Sequence, residues 1–485
     1  MSYKKLAQFA SKYKTVPVYM TIHQGDYTAI ETFRALKNIS RHCFILESLE
    51  DTKETGRYTF LGYDPKLEIS CKDGVLSIKN GTDIEIKTDN PNEYIQKILF
   101  DNSGVKFDEL PPFTGGLVGY FSYDYIKYSE KSLKLDGEDE EQFKDMDLML
   151  FDKVIAFDNY KKQIFLIVNI KTDALEENFN KTESQLRQME RLISQGKKAD
   201  IAPIKLKGGF SALFDEKQYC EMVEKAKWHI KEGDIFQVVL SNRFEAEAEG
   251  SLFGTYKALR ELNPSPYMFY FSSDKVEIAG ASPETLVRLQ ERSLFTFPLA
   301  GSRRRGADKS EDRMLEEELL RDPKELAEHN MLVDLGRNDL GKISKFGSVK
   351  VEKYLSVLRF SHIMHIGSTV KSELLEDKNA LDAISAVLPA GTLSGAPKIR
   401  ACEIIHDLEG NKRGIYGGAI GYISLSGDMD TCIAIRIAFK KDNKVYVRSG
   451  AGIVADSVAK NEYDECANKA LAVFKAIEIA SKESE

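Results

Sequence analysis

The sequence predicts an α+β fold built mainly on antiparallel sheet. Strand-like segments come in runs rather than in strict alternation with helices. In the first half, CFILES, GRYTFLGYD and LEISCKDGVLSIKNGTDIEI gather β-formers between Gly, Asn and Asp turns; near the end GGAIGYISL, MDTCIAIRIAF and KVYVRSG do the same. Helical spacing dominates the blocks between them, and no internal repeat or low-complexity tract suggests another architecture.

Taken in order, GGLVGYFSYDYI is aromatic and glycine-rich, as a strand closely approached by other backbone would be. The acidic run LDGEDEEQ reads as an exposed loop. KVIAFDN and QIFLIVNI are strands, followed by a polar helix over 174–195. GKKADIAPIKLKGG, charged and carrying Pro and paired Gly, reads as a linker, so the predicted segments are 1–206 and 207–485. The second opens on a helix from near Asp215, with Tyr219, Met222, Val223, Ala226 and Ile230 at helical spacing and Gly233-Asp234 as its stop. The strand IFQVVLSNRFEAEA, a helix over 252–262, the turn NPSP and the strands YMFYF, VEIAGAS, ETLVRL and LFTFPLAGS follow. Helices then lead to the last strands and a final helix.

At 485 residues the chain exceeds one ordinary core, and 42% apolar content can fill a large one. A formal charge of −8 argues against nucleic acid or an anionic membrane as the main partner. The six cysteines form no C-x-x-C pair, which suggests neither zinc nor a disulfide framework but free thiols in a reducing cytosol. The start MSYKKLAQFASKYK lacks the apolar stretch of a secretory signal, and apolar runs such as 164–168 are too short to span a bilayer. A soluble cytoplasmic protein is expected.

The chemistry concentrates in the last third. Glu325 and Glu328 lie three residues apart in DPKELAEHNMLVDLGRNDLG, and Glu462 and Glu465 do so in VAKNEYDECANKA. Both segments read as helices, so each offers two carboxylates on one face. Two such faces brought together would suit a hard divalent ion, Mg2+ above all, which takes few carboxylates and leaves room for water and an anionic substrate. Plainer roles fit the same residues. Asp322-Pro323 reads as a helix start with Glu325 as capping-box partner. Glu462, Glu465 and Lys469 lie off the apolar stripe of Tyr463, Ala467, Ala470, Leu471 and Phe474, as solvated charges do. Of the glycine-rich stretches, GTLSGAPK lacks the ending of a phosphate loop, and GIYGGAIG is flanked by strand on its C-terminal side. VRSGAGIVADS runs strand, glycine turn, helix, either a carboxylate cradle or a plain tight turn.

Together, DPKELAEHNMLVDLGRNDLG, PAGTLSGAPKIRA, GIYGGAIGY, IAIRIA and GAGIVADSVAKNEYDE resemble the chorismate-binding enzymes over essentially the whole second half. The first half, with ILES and GRYTFLGYDP, resembles the component I branch of the anthranilate synthases. The resemblance implies an α/β sandwich, with two-layered antiparallel sheets flanked by helices and the site in the cleft. It makes Glu325, Glu328, Glu462 and Glu465 the Mg2+ set, with Glu328 and Glu465 as direct ligands, holding the ring carboxylate of chorismate. Arg436 would clamp a carboxylate with its planar fork, and Lys469 would meet another. Thr392, counted with the catalytic residues, completes the pocket by hydrogen bonds, as do Tyr416, Gly301, Ser302 and the turn Gly450-Ala451-Gly452. His365 in SHIMHIG, rather than its neighbour His362, matches the catalytic histidine, and Glu284 in ASPET the general acid.

Within the family, water-adding members carry a lysine where this chain has Gln237, and aminodeoxychorismate synthases a nucleophilic lysine where it has Ala300. With neither, ammonia is the implied nucleophile, anthranilate the implied product, and isochorismate or aminodeoxychorismate synthesis the alternatives. A non-catalytic sensor on the same fold is a further one. No cysteine here has a G-x-C-x-G context, so a separate glutamine amidotransferase subunit is implied, with a dimer of heterodimers as the family expectation. Glu47 and Ser48 in ILES, with Pro266, Tyr267 and Met268 in NPSPYMF, match the tryptophan-inhibited form.

Overall fold

A computed structural model describes residues 3–49, 56–359 and 363–482. His362 lies outside them. Among the described residues, thirteen strands make one sheet and twelve another, with antiparallel pairing throughout both ladders. The sheets face each other: Phe60 of the first stands 6.2 Å from Tyr422 of the second, and Phe113 fills the space at 4.5 Å from Tyr422. Helices cover the outer faces. Ala459–Lys482 packs on Phe253–Leu262 and on the strand Lys444–Ile453, and Pro323–Gly341 lies across Leu299–Arg304 and Ile363–Glu373.

Each sheet draws on both ends of the chain. In the first, Cys43–Glu47 pairs with Tyr267–Ser272, and in the second Gly116–Phe121 pairs with Ala419–Ser424. The boundary at 206/207 therefore separates lengths of chain, not sheets. The predicted linker contributes a short strand of its own, Lys205–Leu206, on the edge of Gln237–Glu249. The close approach expected at GGLVGYFSYDYI is real: a Cβ on Gly119 would lie 2.0 Å from the Asp147 carbonyl oxygen.

The acidic run is not the free loop its charge suggests. Glu141 and Glu140 pair with Arg243 at 3.2 and 2.7 Å, and Asp139 with Lys412 at 3.3 Å. Cations supplied by distant sequence dock it, and no local pattern announces them. The stripe of the last helix is also rotated from its expected position. Cys466, Ala470, Val473 and Ile477 are buried, whereas Leu471 is exposed, because the helix meets both a strand and a second helix.

The chain crosses from sheet to sheet at two neighbouring places. Val276–Ser282 belongs to the first sheet and Thr285–Gln290 to the second, so Pro283-Glu284 is one crossing. Met429–Ile433 belongs to the second and Ile437–Lys441 to the first, so 434–436 is the other. The apolar run MDTCIAIRIAF is thus two strands, not one. The crossings run side by side: the Ala281 N–H donates to the Arg436 carbonyl at 3.2 Å and the Ile433 N–H to the Glu284 carbonyl at 3.0 Å.

Candidate active site

Glu284 and Arg436 stand in this seam. Arg436 has φ +52°, a left-handed backbone that costs a non-glycine residue roughly 1–2 kcal/mol. Its Nη1 donates to Asn263 Oδ1 at 3.4 Å. Burial lowers its proton affinity and the Glu284 charge opposes this, yet a guanidinium stays charged. Burial pushes the Glu284 carboxyl up to about 7, against the opposing pull of Thr392, Arg436 and Lys469. The Thr392 hydroxyl donates to Glu284 Oε1 at 3.1 Å. A carboxyl so placed is an acid matched to neutral pH.

His365 belongs to the strand Ile363–Glu373, opposite Ser302 in the ladder, and its Nδ1 meets the Gly301 carbonyl at 3.2 Å. That contact puts the proton on Nδ1 and makes Nε2 the basic nitrogen. Burial lowers the imidazole's proton affinity; the Gly301 carbonyl opposes this and Arg436 adds to it, so the ring is neutral and fit to act as a base. Gly301 sits at a register break with φ +79°, and a Cβ there would lie 3.1 Å from Glu325 Oε2. The bulge brings the histidine strand against the acidic helix.

That helix starts where Asp322 accepts the N–H groups of Lys324 and Glu325 at 3.0 and 3.3 Å, with Pro323 in its first turn. The cap reading of Asp322 holds, while the Glu325 carboxylate turns to Arg303 at 3.2 Å. Burial raises the proton affinity of Glu328, and the charges of Glu325 and Glu465 raise it further against Lys469. Glu462 is raised by burial and by Glu465, with Ser457 and Lys469 opposing. The two helices therefore do bring their carboxylates within each other's field. Lys469 pairs with Glu465 at 2.7 Å. As placed, no three His, Cys, Asp or Glu side chains among the described residues stand close enough to chelate an ion. Glu328 and Glu465 repel each other across the two helices, and a hard cation taking few carboxylates suits such a pair, with Lys469 standing on Glu465 in the present arrangement.

Gly450, Ala451 and Gly452 lie inside the strand Lys444–Ile453, opposite Ser241, Leu240 and Val239, which corrects the expected glycine turn; the turn comes later, before Ala459. Glycine is required for packing instead. A Cβ on Gly450 would lie 2.6 Å from the Leu240 carbonyl and 3.0 Å from the Tyr416 hydroxyl, and one on Gly452 2.7 Å from Gln237 Nε2. Lys469 donates to the Gly450 carbonyl at 3.2 Å. Arg436, Glu465 and Lys469 line an open groove of about 620 Å3. Gln237 is buried, and its Oε1 has no hydrogen-bond partner among the described residues. Ala300 is buried opposite Ile366.

Glu47, Ser48, Pro266, Tyr267 and Met268 come together because Glu47 stands opposite Met268 in the ladder. They line one end of a cavity of about 580 Å3 between the sheets, and Glu284 lies on its wall. The Ser48 hydroxyl is buried and has no hydrogen-bond partner among the described residues. The Glu47 carboxylate already accepts from Tyr256 and Arg260. Tyr267 donates to Asp430 at 2.7 Å and touches the Thr285 hydroxyl at 2.9 Å, next to Glu284. Arg303 was not legible as part of this site because it belongs to no motif, and Asn263, at the head of NPSPYMF, read only as the start of a turn. His329, beside Glu328 and bound to the Ser368 hydroxyl at 2.7 Å, gave only the weak signal of a lone imidazole.

A family model described as chorismate binding enzyme matches residues 41–475. Anthranilate synthase component 1 of Acetivibrio thermocellus is 43% identical over 98% of this chain and 97% of its own length. Anthranilate synthase component I from Streptococcus pneumoniae TIGR4 superposes with a TM-score of 0.74 at 39% identity, covering 93% of this chain and 98% of that one. The menaquinone-specific isochorismate synthase from Escherichia coli shares the fold, with a TM-score of 0.71 at 18% identity and 98% of each chain covered. Among the described residues no helix is long and apolar enough to cross a membrane. Matched by the family model over most of its length and by relatives from end to end, the chain belongs to the chorismate-binding enzymes.

Proposed function

We propose that the chain converts chorismate and ammonia to anthranilate, pyruvate and water, as the large subunit of an anthranilate synthase at the first step toward tryptophan in the cytoplasm. The carrying observation is Glu284: buried, bonded to Thr392, protonated up to about 7, and in one seam with the Arg436 that also bears on His365. Gln237 cannot act as the base that activates water, and Ala300 offers no nucleophile, which leaves ammonia as the attacking group.

Arg436 and Lys469 hold the substrate's carboxylates. Ammonia attacks C2 of the ring, the double bonds shift, and the C4 hydroxyl leaves as water with the Glu284 proton. His365 Nε2 then takes the C2 proton, the enolpyruvyl side chain leaves as pyruvate after gaining a proton at its methylene carbon, and the ring becomes aromatic. Acid and base should each contribute about 10²–10⁴-fold. Glu328 and Glu465, with Glu325 and Glu462 acting through water, would hold Mg2+, whose chemistry when bound is to neutralise and orient the ring carboxylate.

The purified chain with chorismate, Mg2+ and ammonium at mildly alkaline pH is expected to develop anthranilate fluorescence; isochorismate, or no product, would refute the assignment. Glutamine in place of ammonium should give nothing, because five of the cysteines are buried and Cys220 lies mid-helix, and the glutaminase is a separate subunit.

The inter-sheet cavity is the proposed tryptophan site. Ser48 would bind the polar end of the amino acid and Met268 its indole face. Ser48→Phe should leave turnover intact and raise the tryptophan concentration for half-inhibition by about tenfold or more, the equivalent of ~1.4 kcal/mol. Unchanged sensitivity would place the effector elsewhere.

A further inference from the structure

Two arginines lie wholly inside the molecule, and the chemistry above uses neither. Arg413 and Arg448 are each 1% exposed, and both converge on buried Glu409. Arg413 Nε and Nη2 bond the two Glu409 oxygens at 2.9 and 2.5 Å, and Arg448 Nη2 bonds Oε2 at 2.9 Å. The Ser241 N–H and hydroxyl donate to Oε1 at 2.7 and 3.0 Å. Burial alone would raise this carboxyl's proton affinity, but the two guanidiniums outweigh it and hold it low. A buried ion cluster of this kind is poor evidence of stabilisation, since packed apolar residues often serve as well.

The remaining donors of Arg413 indicate another purpose. Nη1 donates to the Leu393 carbonyl at 2.6 Å and Nη2 to the Val239 carbonyl at 2.7 Å. Leu393 directly follows Thr392 in the single turn Gly391–Leu393, and the Val239 N–H donates to the Ser394 carbonyl at 2.9 Å. A lone 3-10 turn has little stiffness of its own. Its orientation is set by what grips it, and the hydroxyl on Glu284 moves with it.

We propose that Arg413, held by Glu409, is a positioning residue: its planar fork locks the Gly391–Leu393 turn to the strand Gln237–Glu249 and so fixes the Thr392 hydroxyl on the Glu284 carboxyl. The inference rests on Glu284 being the acid. Thr392 favours the charged carboxylate, as do Arg436 and Lys469, the charged groups facing Glu284 from the other crossing and the last helix. Loosening the turn removes only the Thr392 contribution. Because the acid works protonated, the alkaline limb of kcat should then move to higher pH.

The experiment compares kcat against pH for Thr392→Val, Arg413→Lys and the double variant, with chorismate saturating and free ammonia held constant. Lysine keeps the charge but cannot span both carbonyls. Both single variants should shift the limb upward by about half a pH unit or more and lower kcat about tenfold, with KM for chorismate changed less than about twofold. The double variant should fall no further than Thr392→Val alone. If Thr392→Val leaves the limb in place, the acid assignment fails and this proposal with it. If Thr392→Val moves it while Arg413→Lys lowers kcat without a shift, or the two effects multiply, Arg413 is structural only and the proposal is overturned. Should Arg413→Lys fail to fold, Ser241→Ala weakens the hold on Glu409, and an unmoved limb there overturns the proposal equally.

Discussion

Glu465→Gln is expected to reduce anthranilate formation by about a thousandfold or more while the protein keeps its fold. Glutamine preserves shape, and Glu465 is half-exposed at the helix surface, so little packing is at stake. What disappears is one charge of the pair that would face the cation. The metal's contribution to such a reaction is several kcal/mol, and each ~1.4 kcal/mol is tenfold in rate. Glu328→Gln should behave alike, with a second signature: its carboxyl is raised by burial and then by its acidic neighbours, so its loss relieves repulsion in the metal-free protein. Thermal melting with and without Mg2+ checks this. The unaltered chain should melt higher with Mg2+, and both variants should lose that increment. Full activity with an intact Mg2+ effect in either variant would remove the metal assignment.

Glu284→Gln is expected to lower kcat by about 10²–10⁴-fold with KM for chorismate nearly unchanged. The amide can still accept from Thr392 but has no proton to give a leaving hydroxyl. In the unaltered enzyme kcat should fall as pH rises past the Glu284 transition. That transition stands at about 7 in the unliganded chain; a bound dianion would move it up and a bound Mg2+ down, so the profile of the working enzyme reads the balance of the two. His365 contributes the opposite limb: burial keeps it neutral, so it is lost as a base only when acid charges it. A Glu284→Gln profile that keeps its alkaline limb would assign the acid to another group.

The sequence carried most of the second half of this picture and little of the first. Helix starts such as Asp215 and Asp322 are local chemistry, and both capping residues act as their patterns predict. The acidic pairs were legible as spacing, whereas their meeting depended on where two helices pack. Arg436 looked like an arginine within an apolar strand, because nothing in IAIRIA marks where a chain changes sheets. The glycines at 450 and 452 suggested a turn, but they answer to the Leu240 carbonyl and the Gln237 amide of the neighbouring strand and to the Tyr416 hydroxyl, contacts that no local pattern contains. Charge runs misled for the same reason, since the partners of Glu140 and Glu141 lie about a hundred residues downstream.

The paired crossings have a consequence for control. Glu284 and Arg436 are carried on strips that tie one layer to the other, and those strips are bonded to each other. A small tilt of either layer must therefore change how the proton donor is aimed, even with every active-site contact chemically intact. The 580 Å3 hollow is bounded by both layers, and Tyr267 of one reaches Asp430 and Thr285 of the other. An amino acid lodged there would never need to touch chorismate to silence the enzyme: propping the layers into a different posture would be enough.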